Sequence, residues 1–230
     1  MQTLTQQPPF RSLIQRYASH QGVTQPSVQQ RPLALFFLDI RDFTPLMASR
    51  SAWEVVHLLQ QLFALFRQSI QAHQGQLIET AGDGLYAVFG IEDDFDDAPT
   101  RAYQAGLAIL ESLAQANKNF FGPYFQHQFQ VGIGLHVGSV LVSQVGLGVN
   151  NNLTVLGYPV NVASRLQTAT KRLNNSFLVS QEAFAMLTNP PQAASRRITL
   201  KGILEPMQVR LVGRTYTSAT TAGLPMPSRC

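Results

Sequence analysis

The stretch from Leu33 to Ile40 is apolar throughout except for Asp39 near its end. A strand that is hydrophobic without alternation is buried on both faces, so it belongs at the centre of a covered sheet. The residues that follow supply the cover. Ser51-Ala-Trp-Glu54 has the serine-to-glutamate spacing of a capping box and predicts a helix running to about His73. Apolar residues form two stripes on it: Trp53, Val56, Leu59, Phe63, Phe66 and Ile70 make one, and Val55, Leu58, Leu62 and Leu65 the other. Two such faces imply a core contact and a partner contact.

The remaining chain alternates strand and helix signals. Gln76 to Ala81 and Leu85 to Phe89 read as strands joined by Gly82-Asp83-Gly84, a tight hairpin with an aspartate at its tip. A second long helix is expected from about Ala98 to Phe120. Phe129, Val131, Ile133, Leu135 and Val137 alternate as a strand, Gly138 is read as a turn, and Ser139 to Val145 as the returning strand. Pro159 suits the first turn of a helix reaching about Arg172. Short strands at Phe177 to Ser180, Arg197 to Lys201 and Gln208 to Val212, with a helix from Gln181 to about Leu187, complete an α+β fold with helices packed on one main sheet.

Composition narrows the function classes. At 230 residues and 45% hydrophobic the chain suits one core. Its 17 basic against 13 acidic residues are too balanced to argue for nucleic acid. The acidic cluster Glu92, Asp93, Asp94, Asp96 and Asp97 lacks the spaced ligands and central glycine of a calcium loop, and reads as a solvated segment before a helix N-terminus. The single cysteine, Cys230, rules out a disulfide framework or thiolate zinc site. No apolar run approaches the ~20 residues that cross a bilayer, so a cytoplasmic protein without membrane contact is expected. Residues 1–31, with a helical candidate from Phe10 to His20, are expected to form a leader, residues 32–213 the folded domain, and residues 214–230 a disordered tail.

Two pairs of polar residues stand out. Asp39 ends the central strand and Asp83 tips a hairpin able to lie beside it, so the two carboxylates can bind hard cations such as magnesium. Each also suits a capping or turn role. Asn161 and Arg165, four residues apart, project from one helix face, and an amide beside a guanidinium suits charge developing on a phosphoryl group. A surface arginine beside a polar first-turn residue is the plainer alternative. His136, in a strand beside Gly138, reads as structural.

The order of the motifs is more specific than any one of them. Phe36-Phe-Leu-Asp-Ile-Arg-Asp-Phe-Thr44, Ile78-Glu-Thr-Ala-Gly-Asp-Gly-Leu-Tyr-Ala-Val-Phe-Gly90, Gly132-Ile-Gly-Leu-His-Val-Gly138, Leu156-Gly-Tyr-Pro-Val-Asn-Val-Ala-Ser-Arg165 and Leu200-Lys-Gly-Ile203 together resemble the class III adenylyl/guanylyl cyclase catalytic domain over residues 32–213. The resemblance implies a ferredoxin-like, palm-related core and a homodimer with active sites at the interface, which accounts for the second stripe on the Trp53 helix. Asp39, the Ile40 carbonyl and Asp83 would hold two divalent metal ions, Mg²⁺ or Mn²⁺. Backbone amides around Phe43 and Thr44 would cradle the β- and γ-phosphates of a nucleoside triphosphate. From the other subunit, Asn161 would orient the ribose, Arg165 would stabilise the α-phosphoryl transition state and Lys201 would meet the terminal phosphates.

Base choice falls, by the same resemblance, to Glu79 and Thr154. An ionised glutamate only accepts hydrogen bonds, so it can take two from guanine N1–H and its 2-amino group. GTP is therefore favoured, with ATP close behind because Ile78-Glu-Thr-Ala-Gly-Asp83 is also similar to bacterial adenylate cyclases. A pyrimidine triphosphate and a degenerate nucleotide-binding module are the alternatives. A diguanylate cyclase is disfavoured, because the hairpin lacks Gly-Gly-Asp/Glu-Glu-Phe. Asp42 replaces the glycine common before Phe43, which aspartate's tolerance of left-handed backbone accommodates, and Ala81 replaces a bulkier residue.

Overall fold

The computed structural model describes residues 28–92, 95–146 and 151–216. A sheet of β1 (Val28–Ile40), β2 (Gln76–Ala81), β3 (Gly84–Phe89), β4 (Val131–Gly146), β5 (Asn151–Leu156), β6 (Phe177–Ser180), β7 (Ala194–Ile198) and β8 (Met207–Leu211) forms the centre. Its order is β2-β3-β1-β4-β6-β8-β7, with β5 also paired to β4. Only the β4–β6 pair is parallel. The helices are α1 (Phe43–Ser49), α2 (Ala52–Ala72), α3 (Ala98–Ala116), α4 (Gly122–Phe125), α5 (Tyr158–Arg172) and α6 (Gln181–Ala185). This is the expected α+β architecture.

The two faces of β1 meet different partners. Ala34, Phe36, Leu38 and Ile40 enter the large core with Leu58, Leu62 and Phe66 of α2 and Ala105 and Ile109 of α3. Leu33 and Leu35 point the other way, into a cluster with Tyr86, Val140, Val155 and Ala163. Burial on both faces explains the unbroken apolar run. The run nevertheless understated the strand, which begins at Val28, inside the segment read as leader, because Val28 to Pro32 pair with Ser143 to Ser139 of β4.

That pairing corrects the reading of Gly138. It is no turn: β4 continues through it, opposite Leu33. The glycine is there for clearance, since a Cβ at Gly138 would strike the ring of Pro159. A Cβ at Gly134 would collide with the α5 backbone at Ala163 and Gln167, and one at Gly132 with the guanidinium of Arg41. Period-2 geometry puts Gly132, Gly134 and Gly138 on one face. This groove seats α5 against the sheet.

The Ser51–Glu54 capping box is present, with Glu54 N–H donating to Ser51 Oγ at 3.3 Å and Ser51 N–H to Glu54 Oε2 at 3.0 Å. The stripes of α2 divide differently from the sequence reading. Phe66 and Ile70 join Val55, Leu58 and Leu62 in the core, while Trp53 and Val56 are 69% and 52% exposed. The α-helical part of the second long helix ends at Ala116, and the helical path continues in π form to Phe121, close to the expected end. In this π-helical segment the Asn117 side chain bonds both ways to the Phe129 backbone, its Nδ2 donating to Phe129 O at 2.7 Å and its Oδ1 accepting from Phe129 N–H at 2.8 Å. Neither α1 nor β5 carried a sequence signal of its own; β5 is held by its register to β4.

The C-terminal boundary also shifts. Arg214 exchanges hydrogen bonds with Ser176, and Tyr216 N–H donates to Asn174 Oδ1 at 3.1 Å, so the chain is anchored through Tyr216. The Phe10 to His20 helix, Asp93, Asp94 and the tail beyond residue 216 lie outside the described residues. Among the described residues no helix is long and apolar enough to cross a membrane.

Because the α5 backbone cannot retreat without leaving the sheet, Gly134→Ala is expected to lower folding stability by about 1–3 kcal/mol. Urea unfolding should show a lower midpoint at unchanged slope.

Candidate active site

The central strand delivers Asp39 to its end on the α5 side of the sheet. It lies opposite Gly84 of β3 and Gly132 of β4. The β2–β3 hairpin turns through Gly82, whose φ of 60° suits glycine, and places Asp83 beside β1. The Ile40 N–H donates to the Asp83 carbonyl at 3.2 Å, so the two carboxylate-bearing segments are tied backbone to backbone. Burial raises the Asp39 pKa above the ordinary carboxylate value and the Asp83 charge adds to the rise, while Arg41 and Gln167 oppose it. Two carboxylates that repel at a half-buried site suit a divalent cation, which relieves the repulsion.

A cleft of about 350 Å³ opens above this end of the sheet, lined among others by Asp39, Glu79, Tyr86, Val155 and Gln167. Phe37 and Tyr86 stack on its floor, ring centroids 4.4 Å apart. Burial pushes the Tyr86 phenol pKa up, and its hydroxyl has no hydrogen-bond partner among the described residues. Glu79 is exposed on edge strand β2, next to an irregularity between Leu77 and Glu79 in the pairing with β3. The cleft reaches Val155 and Leu156 but not the adjacent Thr154, which is half-buried opposite Ser143.

Asp42, the residue in place of glycine, has φ 53°, ψ 32°, the left-handed conformation expected of it. It lets the chain leave β1 and start α1 at Phe43, which is buried, with Thr44 exposed beside it. Their amides fall in the first helical turn, where no intrahelical acceptor exists. Asn161 and Arg165 share an exposed face of α5 and Lys201 is exposed in a turn after β7. None of these three lines the cleft of its own chain. Asp39, Asp83 and Glu79 are therefore gathered at one end of the sheet, and the residues on α5 and after β7 point elsewhere.

Sequence reasoning missed Arg41 and Gln167. The Arg41 side chain is only 13% exposed, and its Nη1 lies 3.8 Å from Asp39 Oδ2. The Gln167 amide leans toward Asp39, yet among the described residues its buried Nε2 completes no hydrogen bond. Their positions follow from the groove made by Gly132 and Gly134, a tertiary feature without a local signal.

A family model described as the adenylate and guanylate cyclase catalytic domain matches residues 26–217. Adenylate cyclase 1 of Rhizobium meliloti is 32% identical over 154 residues, covering 66% of this chain and 23% of that protein. An uncharacterised Mycobacterium tuberculosis protein is 29% identical over 184 residues, covering 79% of this chain and 31% of its own length. The chain thus spans about a quarter to a third of these relatives. Among solved structures, the adenylyl cyclase CyaB of P. aeruginosa superposes with a TM-score of 0.73 at 22% identity, covering 80% of this chain and 94% of that one. The guanylyl cyclase Cya2 superposes equally, TM-score 0.73 at 23% identity, covering 83% and 95%.

His136 lies outside the cleft, in β4 opposite Leu35. Its Nδ1 is 2.8 Å from Ser180 Oγ, which accepts from Ala183 N–H to cap α6. Burial depresses its pKa from 6.5 to about 4, against a partial rise from Glu182. The unfolded chain takes up this proton near pH 6.5 and the folded one only near pH 4, so stability is full above the first value and falls between the two. The expected slope is up to ~1.4 kcal/mol per pH unit. Denaturant titrations across this window should show that part of the slope removed in His136→Gln.

Proposed function

Because the chain belongs to the adenylate and guanylate cyclase catalytic domain family, we propose that it closes a nucleoside triphosphate into a 3′,5′-cyclic monophosphate, releasing pyrophosphate, at sites shared between two copies. The observation that carries this reading is the Ile40–Asp83 backbone bond, which ties the segment bearing Asp83 to the strand end whose Asp39 lines a cleft. Asp39, Asp83 and the Ile40 carbonyl would hold two divalent ions, Mg²⁺ or Mn²⁺. When bound, these acidify the ribose 3′-hydroxyl and neutralise charge on the departing pyrophosphate.

The rest is positioning and electrostatics supplied by backbone amides and side chains. Amides at Phe43 and Thr44 receive the β- and γ-phosphates at the start of α1. Asn161 and Arg165 leave their own chain on an exposed helix face, a placement suited to a partner's cleft. There Asn161 orients the ribose, and the Arg165 fork donates to oxygens of the α-phosphoryl group as charge builds. Lys201, also exposed, meets the terminal phosphates. The uncovered Trp53 and Val56 supply apolar surface for a second copy.

Glu79 and Thr154 select the base. An exposed carboxylate at position 79 accepts from guanine N1–H and its 2-amino group, and adenine N1 offers it no proton. GTP is favoured on this ground. ATP is the second reading, supported by the likeness to the Rhizobium meliloti adenylate cyclase.

Purified protein with Mn²⁺ or Mg²⁺ is expected to produce a cyclic monophosphate, and Asp39→Ala and Arg165→Ala each to abolish it. Activity persisting in both would overturn the site assignment. Mixed, the two inactive variants should regain activity, since one of the two sites in each heterodimer then has both residues intact. Competition among the four triphosphates, with products weighed by mass spectrometry, is expected to show cyclic GMP first. A cyclic pyrimidine product would reassign the base, and binding without any product would indicate a degenerate module.

A further inference from the structure

Arg41 sits at the junction of three segments that are distant in sequence. Its Nη1 faces Asp39 Oδ2 at 3.8 Å. Its Nη2 donates to the Gln167 carbonyl at 3.3 Å and to Thr170 Oγ1, both on α5. Its Nε donates to the Tyr216 hydroxyl at 3.1 Å, and the guanidinium lies over the Tyr216 ring, 5.4 Å from the centroid. Tyr216 is itself fixed, its hydroxyl donating to Val131 O at 3.3 Å and its N–H to Asn174 Oδ1 at 3.1 Å. The absent side chain of Gly132 provides the slot that the guanidinium fills.

We propose that Arg41 is a positioning residue, clamped by Tyr216 and by the C-terminal half of α5, that holds the Asp39 carboxylate in the orientation a divalent cation requires. The inference rests on the reading of Asp39 and Asp83 as the metal pair. A planar fork can meet all three segments at once because its donors diverge in one plane; an ammonium on a flexible stem meets one or two. The fork also ties Asp39 to the helix that presents Asn161 and Arg165. In a shared-site dimer those residues serve the opposite cleft, so Arg41 makes the ends of the two half-sites in one protomer a single mechanical unit.

The test is Mn²⁺ binding followed by electron paramagnetic resonance without nucleotide, on the whole chain. Tyr216→Phe keeps the ring and removes only the hydroxyl, away from Asp39. It is expected to weaken Mn²⁺ binding about threefold to tenfold at an unchanged melting temperature. Arg41→Lys keeps the charge and loses the fork, and should weaken binding at least as much. The double variant should bind like Arg41→Lys alone, because the Tyr216 effect passes through Arg41. Unchanged Mn²⁺ affinity in Tyr216→Phe, or losses that simply multiply in the double variant, would overturn the proposal while leaving the metal pair intact. Mn²⁺ binding that survives Asp39→Ala overturns the metal assignment itself, and this inference with it.

Discussion

The register of β1 between β3 and β4 is the constraint on which the site depends. It places Asp39 between Gly84 and Gly132, two residues without side chains: the space at Gly132 goes to the Arg41 guanidinium, and a Cβ at Gly84 would come within 3.5 Å of Asp39 Oδ1. Because side chains alternate along a strand, a slip of one residue would send Asp39 into the core facing α2 and α3, and Leu38 into the cleft. The buried identity of Phe36 and Leu38 on one face, and Leu33 and Leu35 on the other, therefore protects the chemistry as well as the fold.

The parts of this arrangement that sequence could reveal are those encoded in adjacent residues. The capping box of α2, the Gly82–Asp83 turn, Pro159 in the first turn of α5 and the central strand through Asp39 each rest on local backbone preference, and each appears in the structure. What misled was glycine. Gly138 was read for its backbone freedom, whereas it serves by lacking bulk beneath Pro159. A turn glycine and a packing glycine are indistinguishable until the opposing element is known. The α2 stripes failed similarly, because Phe66 and Ile70 can be assigned to either of two adjoining faces until the direction of α3 and the sheet is fixed.

Within the site, Asp39 and Asp83 were legible as a pair because a strand end and a hairpin tip are both readable. Their electrostatic setting was not. Arg41 is one residue beyond Ile40, and nothing local shows that its side chain folds back into the slot at Gly132 to meet Thr170 and Tyr216. Burial and the Asp83 charge raise the Asp39 pKa, and the guanidinium that these contacts hold in place restrains the rise.

Edge strand β2 has a consequence for how such a domain can diversify. Glu79 and Thr80 are exposed, beside a pairing irregularity. Gly132 and Gly134 have no comparable latitude. With position 79 reading the base, as proposed, a lineage could exchange that residue in a single substitution without compensating changes in the core, and base preference could drift between descendants while the frame under it stays fixed. On the proposed reading, selectivity is evolvable because it hangs on an edge strand whose outer half is exposed.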